Sequence, residues 1–181
     1  MKKAVLLGDS IRLGYGPATA ELLKDEFEIF QPDDNSRFCH YMLRQIFDYK
    51  NHLSQADVIH FNCGHWDLCE LFGDGPFTPQ EEYVRVMKKI GGMLLSFTDK
   101  VIFSTTTPVR NENIYNSNAR VKEYNDLIVP EFQKMGIVIN DLNSLLADDI
   151  EKYIRADDKI HLTDEAIKLC SRQTAGYIKN I

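Results

Sequence analysis

The sequence predicts an α/β protein, a three-layer α/β/α sandwich around a five-stranded parallel sheet. Two observations favour this class: five short apolar runs recur along the chain, and segments of helical length separate them. Strands that alternate with helices form βαβ units, and the sheet that they build is parallel. The runs are almost unbroken, without alternation of apolar and polar residues, as expected when helices cover both faces of a sheet.

The five predicted strands are short segments rich in Val, Ile and Phe. They cover residues 3–7, 27–30, 58–62, 101–104 and 137–139. In an open parallel sheet, ligands bind outside the carboxyl ends of the strands. The residues that follow each strand are therefore the first candidates for chemistry.

Three of the predicted helices carry start or stop signals. Residues 78–81, Thr-Pro-Gln-Glu, predict a Thr N-cap, a proline at the first helical position and a capping box, with the helix ending near residue 96. A second helix covers about 118–135, and Pro130 within it predicts a kink or a break. The last helix opens at Thr163 and runs to about residue 179.

Length, composition and charge narrow the possible partners. The chain has 181 residues, of which 44% are hydrophobic and 27% charged, and it contains neither repeat nor linker. We therefore expect a single domain over residues 1–181. Because 21 basic residues face 27 acidic ones, the net charge is −6, which disfavours nucleic acid and anionic membrane surfaces as partners.

The chain shows no sign of export or of membrane insertion. The apolar run near the start stops after four residues without a cleavage site, and no run reaches the length of about eighteen residues that a spanning helix needs. The four cysteines are irregularly spaced. We therefore expect a soluble, cytoplasmic protein with free thiols and no membrane span.

The first strand leads into Gly8, Asp9 and Ser10. A serine at a strand-to-helix turn exposes its hydroxyl, and its own backbone N–H, among the first donors of the helix, can face an oxyanion. Helix capping is the competing interpretation, because Asp and Ser are both favoured N-caps.

A second motif, with Asp158 and His161, lies immediately before the last helix. Its spacing lets the carboxylate fold back onto the histidine, fix the tautomer of the ring and support the imidazolium. A surface loop with an incidental histidine is the alternative. Both motifs are expected on the same edge of the sheet.

With these two motifs at these two places, the chain resembles the SGNH or GDSL hydrolases over essentially its whole length. The resemblance implies a flavodoxin-like sheet and activity on esters or thioesters without a cofactor. It also implies that Ser10 is the nucleophile, His161 the base and Asp158 the orienting acid. Attack by the serine on an ester carbonyl would create an oxyanion, which is expected to bind the backbone N–H groups of Ser10 and Gly64.

The chain departs from the family in the groups that bind the oxyanion. The third family block, Gly-x-Asn-Asp, reads Gly-His-Trp-Asp at residues 64–67, so that Trp66 replaces the oxyanion asparagine. The second block normally supplies a glycine N–H, but residues 32–37 contain no glycine. Asn35, and after it Asn62, are the candidate replacement donors, and capping of turns is the alternative role for both.

Other side chains near the strand ends suggest a substrate site. An apolar wall for an acyl chain or a sugar face is expected from Phe38, Tyr41, Trp66, Leu68, Phe72 and Phe77. Candidates for binding an anionic group are Arg12, Arg37 and Arg110. The long connection over residues 64–77 is expected to shape this site.

Two alternative interpretations of the sequence are a zinc site and a phosphate-binding loop. Four zinc-ligand types occur within ten residues at His60, Cys63, His65 and Cys69, but their spacing matches no standard finger. Gly8, Gly14 and Gly16 suggest a phosphate loop, yet neither of the two standard glycine motifs is present. We therefore expect neither metal nor cofactor.

The sequence as a whole predicts a serine esterase or acylhydrolase that cleaves a small acyl ester through an acyl-enzyme. The expected partner is a small-molecule ester: an acylated sugar, with an acetyl group as one example, or a lipid or thioester. The alternative is a non-catalytic ligand-binding protein of the same fold with a degenerate oxyanion site.

Overall fold

All residues from Met1 to Ile181 are described in a computed structural model, which contains one five-stranded sheet. Its strands are β1 (Lys2–Leu7), β2 (Phe27–Phe30), β3 (Val58–Phe61), β4 (Val101–Ser104) and β5 (Val138–Asn140). They lie in the order β2-β1-β3-β4-β5, and each neighbouring pair is parallel. The predicted parallel sheet is confirmed, with the first strand near its centre.

Nine helices connect and cover the strands. They are α1 (Ser10–Leu23), α2 (Cys39–Asp48), α3 (Lys50–Leu53), α4 (His65–Leu68), α5 (Gln80–Leu95), α6 (Asn118–Lys134), α7 (Leu142–Ala147), α8 (Ile150–Tyr153) and α9 (Asp164–Asn180). The long helices α2, α5 and α6 pack together on one face of the sheet, and α1 packs against α9 on the other. No helix is both long enough and apolar enough to cross a bilayer.

Alternate residues of β1 enter opposite cores. Val5 and Leu7 pack with the helices of the α2, α5 and α6 layer, whereas Ala4 and Leu6 pack with α1 and α9. Because both faces of the strand are covered, every residue from position 4 to 7 is buried. This is why the strands read as unbroken apolar runs, and the α/β/α sandwich is confirmed.

Three of the five predicted strands differ by one residue at one or both ends, and the first begins at Lys2. The third strand ends at Phe61 and leaves Asn62 outside the ladder, and the last strand begins at Val138 and extends to Asn140. The side chain of Asn62 donates to Asp9, the residue before α1, at 2.8 Å. The predicted start and end of α9 agree with the structure, where the Thr163 hydroxyl caps the helix by accepting from the Ala166 N–H.

The predicted capping box before α5 is wrong. Pro79 is the N-cap, with an extended ψ of 148°, and no side chain caps the helix. Thr78 is held elsewhere, because its N–H donates to the Asp67 carbonyl (2.8 Å) and its carbonyl accepts from the Tyr124 hydroxyl (2.6 Å). These contacts hold Thr78 in the preceding loop, and the helix begins at Gln80, one residue later than predicted.

The predicted break at Pro130 is also absent. Helix α6 continues through Pro130 to Lys134. A proline inside a helix removes one hydrogen bond to the carbonyl four residues earlier. Ile128 and Phe132, on either side of it, are fully buried, and this packing keeps the helix continuous.

Candidate active site

Ser10 is the first residue of α1, directly after the end of β1. Asp9 is the N-cap: its backbone is extended, and its Oδ1 accepts from the Ile11 N–H at 2.9 Å. Asp9, and not Ser10, therefore caps the helix, and the Ser10 hydroxyl is available for other contacts. The backbone N–H of Ser10 has no hydrogen-bond partner within the protein.

The Ser10 hydroxyl contacts His161. Oγ of Ser10 lies 2.8 Å from Nε2 of His161, and Nδ1 of the same ring lies 3.1 Å from Oδ2 of Asp158. The structure thus brings the three sequence-predicted residues together in one hydrogen-bonded chain. Such a chain can pass a proton from a hydroxyl to an imidazole that a carboxylate orients.

The turn that carries Asp158 and His161 is fixed by its own backbone. Oδ1 of Asp158 accepts from the N–H groups of His161 (2.9 Å) and Ile160 (3.1 Å), and Lys159 adopts a left-handed φ of 66°. Partial burial raises the pKa of Asp158, but these N–H donors outweigh it and hold the pKa below its ordinary value. Asp158 is therefore an anion over the range in which histidine titrates.

A separate apolar cluster packs against the two segments that carry Ser10 and His161. Ile11 and Tyr15 of α1 pack there with Leu162, which follows His161, and with Ala166 and Cys170 of α9. The packing of α1 on α9 thus sets the distance between the serine and the histidine. Ser10 and His161, 151 positions apart in sequence, become neighbours through the burial of these apolar side chains.

Gly64, at the N-terminal end of the short helix α4, closely approaches the segment that follows β4. A Cβ atom at this position would lie 2.0 Å from Oγ1 of Thr106, so only glycine fits. The backbone N–H of Gly64 has no partner within the protein. Like the N–H of Ser10, it lies at the carboxyl edge of the sheet and is available to a ligand.

Two residues beyond Gly64, Trp66 stands at the position of the family's asparagine. Its side chain is 44% exposed, and its indole N–H has no partner. Asp67 is buried and accepts from the Cys39 N–H (3.1 Å) and the Cys63 thiol (3.2 Å), which ties this loop to α2. Burial raises the pKa of Asp67 above its ordinary value.

The two candidate asparagines have different surroundings. Nδ2 of Asn62 donates to Oδ1 of Asp9 at 2.8 Å, and the side chain is buried. Oδ1 of Asn35 accepts from the Arg37 N–H at 2.7 Å, while its amide nitrogen has no partner. Asn62 is therefore engaged in supporting the cap of α1, and Asn35 retains a free donor.

Arg37 has a left-handed backbone, with φ of 50°, although it is not a glycine. It directly precedes Phe38, the N-cap of α2, in the loop where the family's second-block glycine is expected. The Arg37 side chain is exposed, and its guanidinium lies 4.8 Å from the centre of the Tyr41 ring. Arg37 thus adopts the left-handed conformation that favours glycine, although no glycine stands at this position.

The predicted apolar wall is present only in part. Trp66, Phe72 and Phe77 are exposed, and Phe38 packs against Phe77 with ring centres 5.3 Å apart. Leu68 does not belong to the wall, because it is fully buried in the core. Tyr41 instead donates its hydroxyl to Asp34 at 2.6 Å.

A second loop, which no sequence pattern indicated, adds to this exposed surface. Ile114 and Tyr115 are exposed, and the Tyr115 carbonyl accepts from the Glu70 N–H at 2.9 Å. Cavities of about 590 and 580 Å³ flank α6, and neither is lined by Ser10 or His161. Ser10 and His161 are both partly exposed.

Two of the three candidate anion-binding arginines are not available to a ligand. Arg12 is buried and donates to three backbone carbonyls, which the sequence could not show. Arg110 donates to the Ile154 carbonyl at 2.7 Å and pairs with Glu151. Only Arg37 of the three stays exposed to solvent.

The possible zinc ligands are dispersed. His60 contacts Ser104 (2.9 Å) inside the sheet, whereas His65 contacts Thr107 (3.0 Å), and burial lowers the pKa of both histidines to about 3. No group of three or more His, Cys, Asp or Glu side chains is placed to hold a metal ion. Similarly, Gly14 and Gly16 lie within α1, not in a phosphate-binding loop.

Comparison with known proteins agrees with this geometry. The chain is 34% identical over 122 residues to the GDSL esterase/lipase CPRD49 of Arabidopsis thaliana, a match that covers 59% of this chain. The chain spans about half the length of that relative (47%) and 39% of a second Arabidopsis GDSL esterase/lipase. No protein-family model matches the chain.

Solved structures show the same fold. The lipase/acylhydrolase from Enterococcus faecalis superposes with a TM-score of 0.80 at 18% identity and covers 99% of this chain and 96% of its own. The acetyl xylan esterase AlAXEase superposes with a TM-score of 0.76 at 17% identity and covers 99% and 100%. The fold is that of the SGNH hydrolases. In sequence, the chain is similar to GDSL esterase/lipases of Arabidopsis thaliana and of Oryza sativa subsp. japonica.

Proposed function

We propose that this protein is a serine esterase whose nucleophile is Ser10. The observation that carries the proposal is the 2.8 Å contact between Oγ of Ser10 and Nε2 of His161, with Asp158 behind the ring. A serine hydroxyl is a weak nucleophile until a neighbouring base removes its proton. His161 is that base, and Asp158 is the carboxylate that stabilises the imidazolium.

The reaction then proceeds in two halves. Nε2 of His161 takes the hydroxyl proton of Ser10 as Oγ attacks the ester carbonyl and forms a tetrahedral oxyanion. When this intermediate collapses, the C–O bond to the alcohol breaks, and His161 returns the proton to the departing oxygen. Water repeats the sequence on the acyl-enzyme, and the acid leaves with Ser10 restored.

The oxyanion is bound by donors from neighbouring strand ends. The N–H groups of Ser10 and Gly64 have no partner in the protein and follow the adjacent strands β1 and β3. Asn35 is the side-chain donor of choice, because its amide nitrogen is free while that of Asn62 is bound to Asp9. Donors fixed before the reaction stabilise the developing charge without reorganisation.

The substrate has a small acyl group on a larger alcohol. The cavities of about 590 and 580 Å³ beside α6 are not lined by Ser10, which supports a small acyl group. Trp66, Phe72 and Phe77 instead offer an exposed apolar rim on which a sugar ring can lie. Arg37 extends from the same edge towards any anionic group on that alcohol. An acetylated carbohydrate fits this surface best, in keeping with the acetyl xylan esterase among the solved structures.

A non-catalytic binding protein is the second candidate, and the observation that favours it is Trp66 in place of the oxyanion asparagine. The test is hydrolysis of p-nitrophenyl acetate, butyrate and octanoate near pH 8 by the purified chain. Ser10→Ala is purified in parallel and controls for contaminating esterases. We expect hydrolysis of the acetate above all, and its loss in the variant. A folded wild-type protein no more active than Ser10→Ala on any ester favours the binding protein.

A further inference from the structure

Arg12 is a buried cation whose hydrogen bonds all go to the backbone. It lies two residues after Ser10, is 1% exposed, and donates through Nη1 to the Pro32 carbonyl at 2.8 Å. Through Nη2 it donates to the carbonyls of Asp34 (2.8 Å) and Gly8 (3.3 Å). A charge withdrawn from water is costly, so a buried guanidinium with only carbonyl partners calls for an explanation.

The three carbonyls belong to two different segments. Gly8 precedes the nucleophile, whereas Pro32 and Asp34 belong to the loop between β2 and α2. Ser36 joins the same two segments a second time: its N–H donates to the Gly8 carbonyl (2.9 Å), and its Oγ accepts from the Gly8 N–H (3.0 Å). Arg12 and Ser36 thus clamp residues 32–36 to the segment that carries Ser10.

The clamped loop contains the groups that the proposed mechanism needs from this side of the sheet. Asn35 lies between the two clamped positions Asp34 and Ser36, and its amide nitrogen is free. The left-handed Arg37 follows. A shift of this loop by a fraction of an ångström would move the Asn35 donor relative to the oxyanion without disturbing the contact between Ser10 and His161.

We propose that Arg12 is a positioning residue for the oxyanion site: its guanidinium holds the 32–36 loop at the distance from Ser10 at which Asn35 reaches the substrate oxygen. The inference rests on the proposed esterase activity. Only arginine suits this role, because its planar fork presents several donors in fixed directions, whereas a lysine presents one nitrogen.

The test compares Arg12→Lys and Arg12→Ala with wild type on p-nitrophenyl acetate. We expect kcat to fall by about a hundredfold in Arg12→Ala, as for the loss of one oxyanion donor, and by less in Arg12→Lys. KM should stay close to the wild-type value, because the rim that binds the alcohol is untouched. Guanidinium chloride, at concentrations too low to unfold the protein, should restore part of the activity of Arg12→Ala.

A matched control separates positioning from stability. Leu94→Ala removes a fully buried side chain near the end of α5, in the core on the other face of the sheet from α1 and α9. It should lower the thermal midpoint as the Arg12 variants do and leave kcat unchanged. If Arg12 were only structural, its substitution would lower the thermal midpoint, but kcat would stay at the wild-type value and guanidinium chloride would not increase it.

The proposal is overturned if folded Arg12→Lys and Arg12→Ala retain the wild-type kcat. Should Arg12→Ala not fold, Ser36→Ala, which weakens the other half of the clamp, must lower kcat with KM unchanged, and an unchanged kcat overturns the proposal. An active wild type with fully active clamp variants contradicts this inference alone. A folded but inactive wild type contradicts the esterase proposal and this inference together.

Discussion

Asp9 and Asn62 are joined by a 2.8 Å hydrogen bond that ties the start of α1 to the end of β3. Asp9 is 1% exposed, and its Oδ2 has no partner. Burial raises the pKa of Asp9 to about 6, against the opposing effects of Asn62 and the Ile11 N–H. The residue beside the proposed nucleophile is therefore a carboxyl group that titrates at an unusually high pH.

This pKa predicts a pH-dependent loss of stability that Asp9→Asn should abolish. In the unfolded chain Asp9 ionises near pH 4, whereas in the folded chain it holds its proton until about pH 6. The folded state binds more protons in this window, so stability falls as the pH rises through it, by about 2 kcal/mol between pH 4 and pH 7. Asparagine keeps the capping acceptor and does not titrate.

Urea unfolding of wild type and Asp9→Asn at pH 4 and pH 7 measures this difference. Contributions from all other groups cancel between the two proteins. Parallel pH profiles would show that Asp9 ionises normally in the folded chain.

Asp158→Asn should lower kcat about a thousandfold or more, because an amide can stabilise the wrong tautomer of His161 and offers no charge to the imidazolium. The variant should remain folded, since asparagine keeps an oxygen for the N–H groups of His161 and Ile160. Steady-state hydrolysis of p-nitrophenyl acetate is the measurement. Asp157→Asn is the matched control, because the neighbouring Asp157 pairs with Arg155 and should leave kcat unaffected. Equal activity of the two variants would remove Asp158 from the mechanism.

Asn35→Ala and Asn62→Ala should separate catalysis from stability. The first removes a free amide donor and should lower kcat about a hundredfold. The second removes a buried partner of Asp9 and should lower the free energy of unfolding by about 1–3 kcal/mol. Kinetics and chemical unfolding on both variants provide the comparison. The reverse outcome, with kcat lost only in Asn62→Ala, would reassign the donor to Asn62.

Trp66→Ala should weaken binding of the alcohol and leave the chemical step largely intact. Because the indole is 44% exposed, its removal should cost little stability, but a ring that stacks on it loses its platform. KM for an acetylated xylo-oligosaccharide should rise several-fold, while KM for p-nitrophenyl acetate changes less. Phe47→Ala, an exposed aromatic near the far end of α2, controls for general surface effects. A fall in kcat with unchanged KM would instead make Trp66 an oxyanion donor.

The fold was predictable because its signals are local. An apolar run such as that of β1 marks a strand buried on both faces, and Thr163 marks the start of α9 by its own side chain. The serine and histidine motifs were predictable for the same reason, since each lies within a few residues of an element boundary. The placement of these motifs along the chain then required only the known order of a parallel sheet.

The remaining features depend on contacts that no short pattern records. Arg12 looked like a ligand-binding arginine, but the loop carbonyls that surround it come from residues about twenty positions away. Similarly, the capping signal at Thr78 was overridden by hydrogen bonds to Asp67 and Tyr124. Arg37 could not be recognised as left-handed, because its residue type gives no such preference.

The packing of α1 against α9 also bears on the order of folding. Ser10 and His161 meet only when a loop of about 150 residues closes. Such a contact slows folding, because the chain loses conformational entropy on closing the loop before the new contacts stabilise it. During synthesis, β1 and α1 leave the ribosome long before the histidine has been made. If Ser10 is the nucleophile as proposed, the nascent chain carries an inactive serine, and esterase activity begins only when the last helix has docked.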